Sequence, residues 1–526
     1  MNRGIIIAAA ALIAIVRADA QPITGEEIMK HTAILADDKM EGRGTGSKGE
    51  RLAADYIAEQ FKAIGLLPGN SGSYIQGVPL IGMTADQSMT VAFQKGSEVI
   101  TARYYDEIVG GSGVVSPSVN LDGELVFVGY GISAPEQKWD DYKDVDVRGK
   151  VLLMLVNDPP STDEKFFGGR AMTYYGRWTY KYEEAGRKGA AGAILIHIED
   201  TAGYPWQVPQ QSWSGERFLP EQEQDPLKLR AWLRGDVAER VVGMAGKDLQ
   251  TLVASAASPD FKPVPLHVTV KATFENQIRH LSAPNAIGML PGAVTKERYV
   301  VVSAHHDHFG IGKPDATGDA IYNGAHDNAV GVATLLACAR ALAIVHPKDS
   351  VLFLTYTGEE QNLLGSEYYV HHPVVPLDRT IAVVNVDGGN SRGRTLDARA
   401  QGAEKSDLDA IVAEAAKSAG MKISPDPFPE KGYYFRSDHF SFARAGVPGF
   451  TLSSGLEYEG RPAGWGESVA VEYIRTQYHQ PSDEVDDTWD LSGQVQVAEL
   501  VVRIVERIAE RKGEIRWNED CEFQRP

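Results

Sequence analysis

From about residue 284 the chain alternates continuous apolar runs with helical segments, and this rhythm restricts the fold more than any other feature. The runs are Tyr299–Ser303, Val351–Tyr356, Thr380–Val386 and Val447–Leu452, with Val330–Val345 and Leu408–Ala419 as helices among them. A strand that is apolar on both faces must be covered on both faces, and strands separated by helices pair in parallel. The expected fold class is therefore α/β, a mixed, mostly parallel sheet flanked by helices. In such sheets the functional groups gather beyond the carboxyl ends of the strands.

That rule can be applied strand by strand. His305-His306-Asp307-His308 follows the first run, Gly358-Glu359-Glu360 the second, and Asp387 ends the third. Gly324-Ala325-His326-Asp327-Asn328 opens the helix between the first two, and Tyr478-His479-Gln480-Pro481-Ser482-Asp483 lies far downstream. Any one of these is an ordinary surface pattern. Together they bring imidazoles and carboxylates to one sheet edge, where close carboxylates stay ionised only with cations among them. Imidazole and carboxylate donors without thiolate suit zinc, with manganese or cobalt as alternatives.

The rest of the chain narrows the context. Asp and Glu number 71 against 52 Lys and Arg, a net charge of −19, which argues against nucleic acid or an anionic membrane as partner. Most of that excess reads as solvated surface. Cys338 and Cys521 are the only cysteines, so a disulfide scaffold and a Cys-rich zinc site are excluded and both read as free thiols. Residues 1–20 read as an export signal: Arg3, an apolar run Ile5–Val16, and Ala18-Asp19-Ala20 before a cleavage point at Ala20/Gln21. The rest of the chain offers no segment that reads as long and apolar enough to cross a membrane, so no stable membrane anchor is expected.

Thr24 and Glu27 make a capping-box pattern, and a second helix around Gly49–Ile64 ends at Gly65. Between them, Glu41-Gly42-Arg43-Gly44-Thr45-Gly46 is glycine-rich but lacks a P-loop's Lys-Ser/Thr ending, so nucleotide binding is discounted. Short strands are expected over 87–110. Residues 117–262 change texture and read as an inserted small unit, with strands at Glu124–Gly129, Lys150–Val156 and Ala193–His197 and a helix near Tyr180–Lys188. The expected division is 1–20 signal, 21–116 first part of the main domain, 117–262 insertion, and 263–526 the remainder.

The motifs Ser303–His308, Asn323–Gly331, Gly358–Ser366, Asn385-Val386-Asp387, Ser437-Asp438-His439 and Tyr478-His479 resemble, in order, those of the M28 family of zinc peptidases. Residues 35–66 resemble that family's N-terminal helix pair, and the insertion resembles a small β-rich protease-associated (PA) domain. The resemblance implies two Zn²⁺ per chain. Asp327 would bridge them, with His305 and Asp387 completing one site and Glu360 and His479 the other. It makes Glu359 the general base, has Asp307 orient His305, and implies a cis peptide after Asp327. Departures fall at His326, at Val330 where Ser is usual, and at Gly388-Gly389 where Met is common. None of these removes a ligand.

Around these residues, His306 is expected to pack away from the metals, His308 is a weaker candidate to line the pocket, and His371 and His372 read as surface. Ser366 reads as a helix N-cap. The segment Tyr433–His439 is expected over the metals. It contains an oxyanion donor (Tyr433 or Tyr434, with Tyr434 carried as the candidate), Asp438 to order the site or bind substrate, and Arg436 to receive a substrate carboxylate. The expected activity is that of an exported aminopeptidase acting on peptides through a metal-bridging water. The alternatives are a glutamate-carboxypeptidase-like enzyme or dipeptidase, a single-zinc glutaminyl cyclase, and a binding protein with a dead site.

Overall fold

The computed structural model describes residues 22–86, 89–222, 225–519 and 521–523, so the expected export signal and its cleavage point lie outside the described residues. Two helices open the chain. α1 (Gly25–Leu35) is capped by the Thr24 hydroxyl, which accepts from the Glu27 amide. α2 (Lys48–Ile64) is capped by Ser47 and stops at Gly65, whose φ of 92° no β-carbon would favour. The remaining elements of the main body are β1 (Ile75–Ala85), β2 (Val264–Leu290), β3 (Thr295–His305), α3 (Val330–Val345), β4 (Asp349–Tyr356), α4 (Leu364–His371), β5 (Thr380–Asn385), β6 (Asp397–Gln401), α5 (Leu408–Ser418), β7 (Gly449–Ser454), α6 (Trp465–Thr476) and α7 (Ser492–Glu510).

The main sheet runs β1–β2–β4–β3–β5–β7–β6. Its centre, β4–β3–β5–β7, is parallel, and the β1–β2, β2–β4 and β7–β6 pairs are antiparallel. Alternation divides each central strand between two cores. Val300, Val302, Val351, Phe353, Ala382 and Val384 face α3 and α7, while Val301, Leu352, Leu354 and Val383 face Tyr369 and Phe442 on the other side. Burying each of the larger side chains contributes about 1.5–3 kcal/mol, so packing on both faces holds the sheet.

One helical stretch, Ala325–Val345, does have the length and hydropathy to cross a membrane, contrary to the sequence expectation. It is the core helix of the sheet: 78% of its apolar 18-residue window is buried inside the protein.

A second sheet lines up Ser118–Phe127, Val151–Leu155, Gly192–His197 and Leu229–Arg234 in parallel. Ile108–Gly111 closes one edge and the first half of β2 the other, with Thr90–Lys95 also pairing to β2. This body therefore reaches past the boundaries expected at 116/117 and 262/263. The reason is β2, a 27-residue strand that passes from the small sheet into the large one with no break in composition. Ser366 is also not a cap. It lies inside α4, fully buried, with its hydroxyl donating to the Leu363 carbonyl and touching the Ser441 hydroxyl.

Candidate metal centre

Register places the donors. His305 ends β3 opposite Tyr356, the last residue of β4, so the Glu359-Glu360 loop leaves the sheet beside it. β5 pairs with β3 on the other side and ends at Asn385, which puts Asp387 at the same edge. Asp327 arrives on the turn before α3. Gly324 opens that turn with φ 53°, and a β-carbon there would lie 2.2 Å from the Asp327 carbonyl oxygen. The Asp327–Asn328 peptide is cis. Asn328 secures the turn by donating to the Val386 carbonyl (3.0 Å) and accepting from the Gly388 amide (3.0 Å).

The donors fall into two triads that share Asp327. His305 Nε2 lies 3.2 Å from Asp327 Oδ1 and 3.3 Å from Asp387 Oδ1. His479 Nε2 lies 3.4 Å from Asp327 Oδ2 and 3.3 Å from Glu360 Oε2. Among the described residues neither Nε2 has a hydrogen-bond partner, although both are buried. Ligand atoms around a tetrahedral ion with bonds of about 2.0–2.1 Å stand about 3.3–3.4 Å apart. The donor set and the orphaned imidazole nitrogens thus fit divalent-cation binding.

His308 also comes within ligand distance of Asp327 and Glu360. Its Nδ1 is already engaged by Glu360 Oε1 at 2.6 Å, which leaves Oε2 turned toward His479. His306 is buried away from the donors, its proton affinity pushed down to about 3 by burial. His371 and His372 are exposed.

Asp307 is fully buried and acts mainly as a bracket. Its Oδ1 accepts from the Glu359 amide (3.1 Å) and its Oδ2 from the Thr45 hydroxyl (3.1 Å). Toward His305 Nδ1 the carboxylate stands 3.7 Å away, and the nearer acceptor is the Asp307 carbonyl at 3.2 Å. The acceptor closest to His305 Nδ1 at residue 307 is thus the backbone carbonyl rather than the carboxylate.

The electrostatics are those of crowded carboxylates. Burial, then Asp387, Asp438 and Asp327, push Glu359 well above the usual carboxylate range, against a lowering by His305. Burial, Asp327 and Glu359 do the same to Glu360. Asp327, despite burial, is held well below that range by His305 and His479.

A cavity of ≈ 550 Å³ opens over Asp327, Glu359, Glu360 and Asp387. Arg436, Tyr433 and Tyr478 line it, and Gly203 and Tyr204 reach it from the second body. Tyr434 does not. It is buried among Phe435, His439, Phe440 and Phe523, because the 3₁₀ turn Tyr433–Arg436, with about three residues per turn, points neighbouring side chains in different directions. The expected oxyanion role of Tyr434 is therefore corrected. Asp438 is fully buried behind the donors and does not line the cavity.

A better-placed tyrosine is Tyr478. Its ring stacks on His479 at 3.7 Å, and its hydroxyl accepts from Arg436 Nη2 at 3.1 Å. Its position next to a ligand was the one sequence signal that could have found it. Among the described residues Arg436 has no carboxylate within ion-pair distance; its guanidinium sits over the rings of Tyr204, Tyr433 and Tyr478.

The model of peptidase family M28 matches residues 285–505. A mouse protein named aminopeptidase NAALADL1 is 30% identical over 181 residues, 31% of this chain and only 22% of its own length. A probable leucine aminopeptidase 2 from Aspergillus oryzae is 24% identical over 453 residues, 84% of this chain and 75% of its own. In fold, the aminopeptidase from Aneurinibacillus sp. strain AM-1 superposes with a TM-score of 0.54 at 20% identity, covering 96% of this chain and 98% of that one. Through residues 285–505 and the sheet edge they build, this chain is similar to members of peptidase family M28.

Proposed function

We propose that this chain is a two-cation metallopeptidase that removes residues from the free amino termini of peptides. The observation that carries the reading is the pair of orphaned imidazole nitrogens, each facing its own oxygen of Asp327. His305, Asp327 and Asp387 would hold one cation and Asp327, Glu360 and His479 the other, with zinc the ion this donor set suits. Such cations, when bound, polarise the scissile carbonyl and make a nearby water acidic.

The protein's own groups do the rest. Glu359 lines the cavity with its amide fixed to Asp307, and its raised proton affinity suits a group that takes and returns a proton. It accepts the proton of the attacking water and delivers it to the leaving amine nitrogen. Tyr478 accepts a hydrogen bond from Arg436, which leaves its own proton to donate to the developing oxyanion. The names of the mouse and Aspergillus relatives favour amino-terminal polarity. Leucine p-nitroanilide against its N-acetylated form tests it: the free amine should be cleaved and the blocked form spared. Equal cleavage of both would refute amino-terminal recognition.

A second reading, a dipeptidase or carboxypeptidase, is favoured by one observation. Arg177, Arg217 and Arg436 line a small chamber together with Glu359, Glu360 and His479, and none has a carboxylate within ion-pair distance among the described residues. A substrate carboxylate would suit them. Dipeptides with free against amidated carboxyl termini separate the readings. We also propose export, supported by the apolar run Ile5–Val16 and Ala18-Asp19-Ala20. Sequencing of exported protein should begin at Gln21.

A further inference from the structure

The glycine-rich loop Glu41–Gly46 has no phosphate chemistry, yet it delivers a side chain to the underside of the metal centre. Arg43 is 1% exposed. Its Nε donates to the His306 carbonyl (2.8 Å), Nη1 to the carbonyls of Leu35 (2.6 Å) and Asn323 (2.6 Å), and Nη2 to that of Gly324 (2.9 Å). His306 sits between His305 and Asp307, and Asn323-Gly324 opens the turn that carries Asp327. One rigid guanidinium therefore ties together the two loops that bring His305 and Asp327, and fastens both to the end of α1.

The neighbouring residues serve the same junction. The His308 amide donates to the Arg43 carbonyl (3.1 Å), and the Thr45 hydroxyl donates to Asp307 Oδ2 (3.1 Å). The glycines are needed for approach. A β-carbon on Gly42, whose φ is 63°, would lie 2.5 Å from the Gly310 carbonyl oxygen and 2.6 Å from that of Tyr322. Arg43 itself takes a left-handed φ of 50°. Among the described residues no carboxylate stands within ion-pair distance of it, so its charge is not spent on one partner. It sits instead in the field of Asp307, Asp483, Asp327 and Glu360.

We propose that Arg43 is a positioning residue of the metal centre, fixing the separation of the His305 and Asp327 loops through their backbone carbonyls. The inference rests on the metal reading above. A guanidinium suits the task because its donors diverge in one plane; an ammonium carries the same charge from a single point and cannot span three segments.

The test uses the full chain, stripped of metal by chelation, with Co²⁺ as probe. Wild type, R43K, R43M and T45V are titrated with Co²⁺, followed by visible absorption, and the metal-free forms are melted. R43M and R43K should both lose roughly 10–100-fold in Co²⁺ affinity, as outer partners of ligands commonly do, and should alter the Co²⁺ spectrum. T45V should lose less. Restoration by R43K to wild-type affinity would make charge alone sufficient and overturn the positioning role. So would a lowered melting point with unchanged Co²⁺ affinity and spectrum. If R43M does not fold, R43K and T45V decide by the same criteria. A wild type that takes up no Co²⁺ would end the metal reading itself, and is distinguished from failure at Arg43, where wild type and variants bind alike.

Discussion

The two bodies of the molecule are built alike and end differently. Each lines up four parallel strands, and β2 runs through both sheets. At the carboxyl edge of the larger sheet stand His305, Glu359, Glu360 and Asp387. At the same edge of the smaller sheet, Asn157 follows one strand and His197 ends the next, packed among Tyr204, Trp206 and Trp232. That edge faces the larger body: Asn157 Nδ2 donates to the Glu430 carbonyl at 3.3 Å, and Tyr204 reaches the cavity. Parallel strands make an edge available in both cases. Ionisable donors turn one edge into a reaction centre, while aromatic rings and guanidinium groups turn the other into its wall.

The largest lesion should come from the larger edge. Glu359→Gln should lower kcat by about 10²–10⁴-fold with metal content unchanged, checked by kinetics beside elemental analysis. Retained turnover would remove Glu359 from the mechanism.

The smaller edge should answer through stability. Burial pushes His197 down to about 4, so it is neutral in the folded protein while an unfolded histidine titrates near 6.5. Its contribution is whole above about pH 6.5 and is lost as pH falls toward 4, at a total cost of about 3 kcal/mol. Melting curves of wild type and His197→Gln between pH 7 and 4.5 should converge as the pH drops. Parallel curves would mean that the imidazole does not carry the acid sensitivity.

Where the two edges meet, Arg436→Met should raise KM for alanyl-glutamate roughly 10–100-fold, the worth of a hydrogen bond to a charged group, and leave the KM for alanine p-nitroanilide nearly unchanged, while kcat falls for both through Tyr478. Equal KM effects on both substrates would rule out a carboxylate contact for Arg436. The smallest effect is expected from Tyr434→Phe, because its hydroxyl lies in an aromatic cluster with no partner among the described residues. Its kcat should stay within about twofold of wild type; a larger loss would return Tyr434 to the site.

The donors were legible in sequence because β3, β4 and β5 each carry an unbroken apolar run that stops at or just before a candidate donor. Register and parallel pairing then leave little freedom in where His305, Glu360 and Asp387 end up. The same logic fails off the sheet. Tyr434 and Tyr478 both lie in irregular segments, and only the turn at Tyr433–Arg436 decides that one ring enters the aromatic cluster. Arg43 was equally hidden, since three of its four partners are backbone carbonyls more than 250 residues away, which no side-chain pattern records. The extent of the second body was misjudged for a different reason. β2 serves two sheets, so the chain crosses from one core to the other without the turn residues that mark a boundary.

Asp327 is the claim on which the rest depends: one carboxylate, two oxygens, two cations. Anomalous scattering at the zinc edge from crystals of the zinc-loaded chain tests it most directly. The account predicts two peaks, one against His305 and Asp387 and one against Glu360 and His479, with an oxygen of Asp327 at each. A single peak, or two peaks not joined by Asp327, would contradict it.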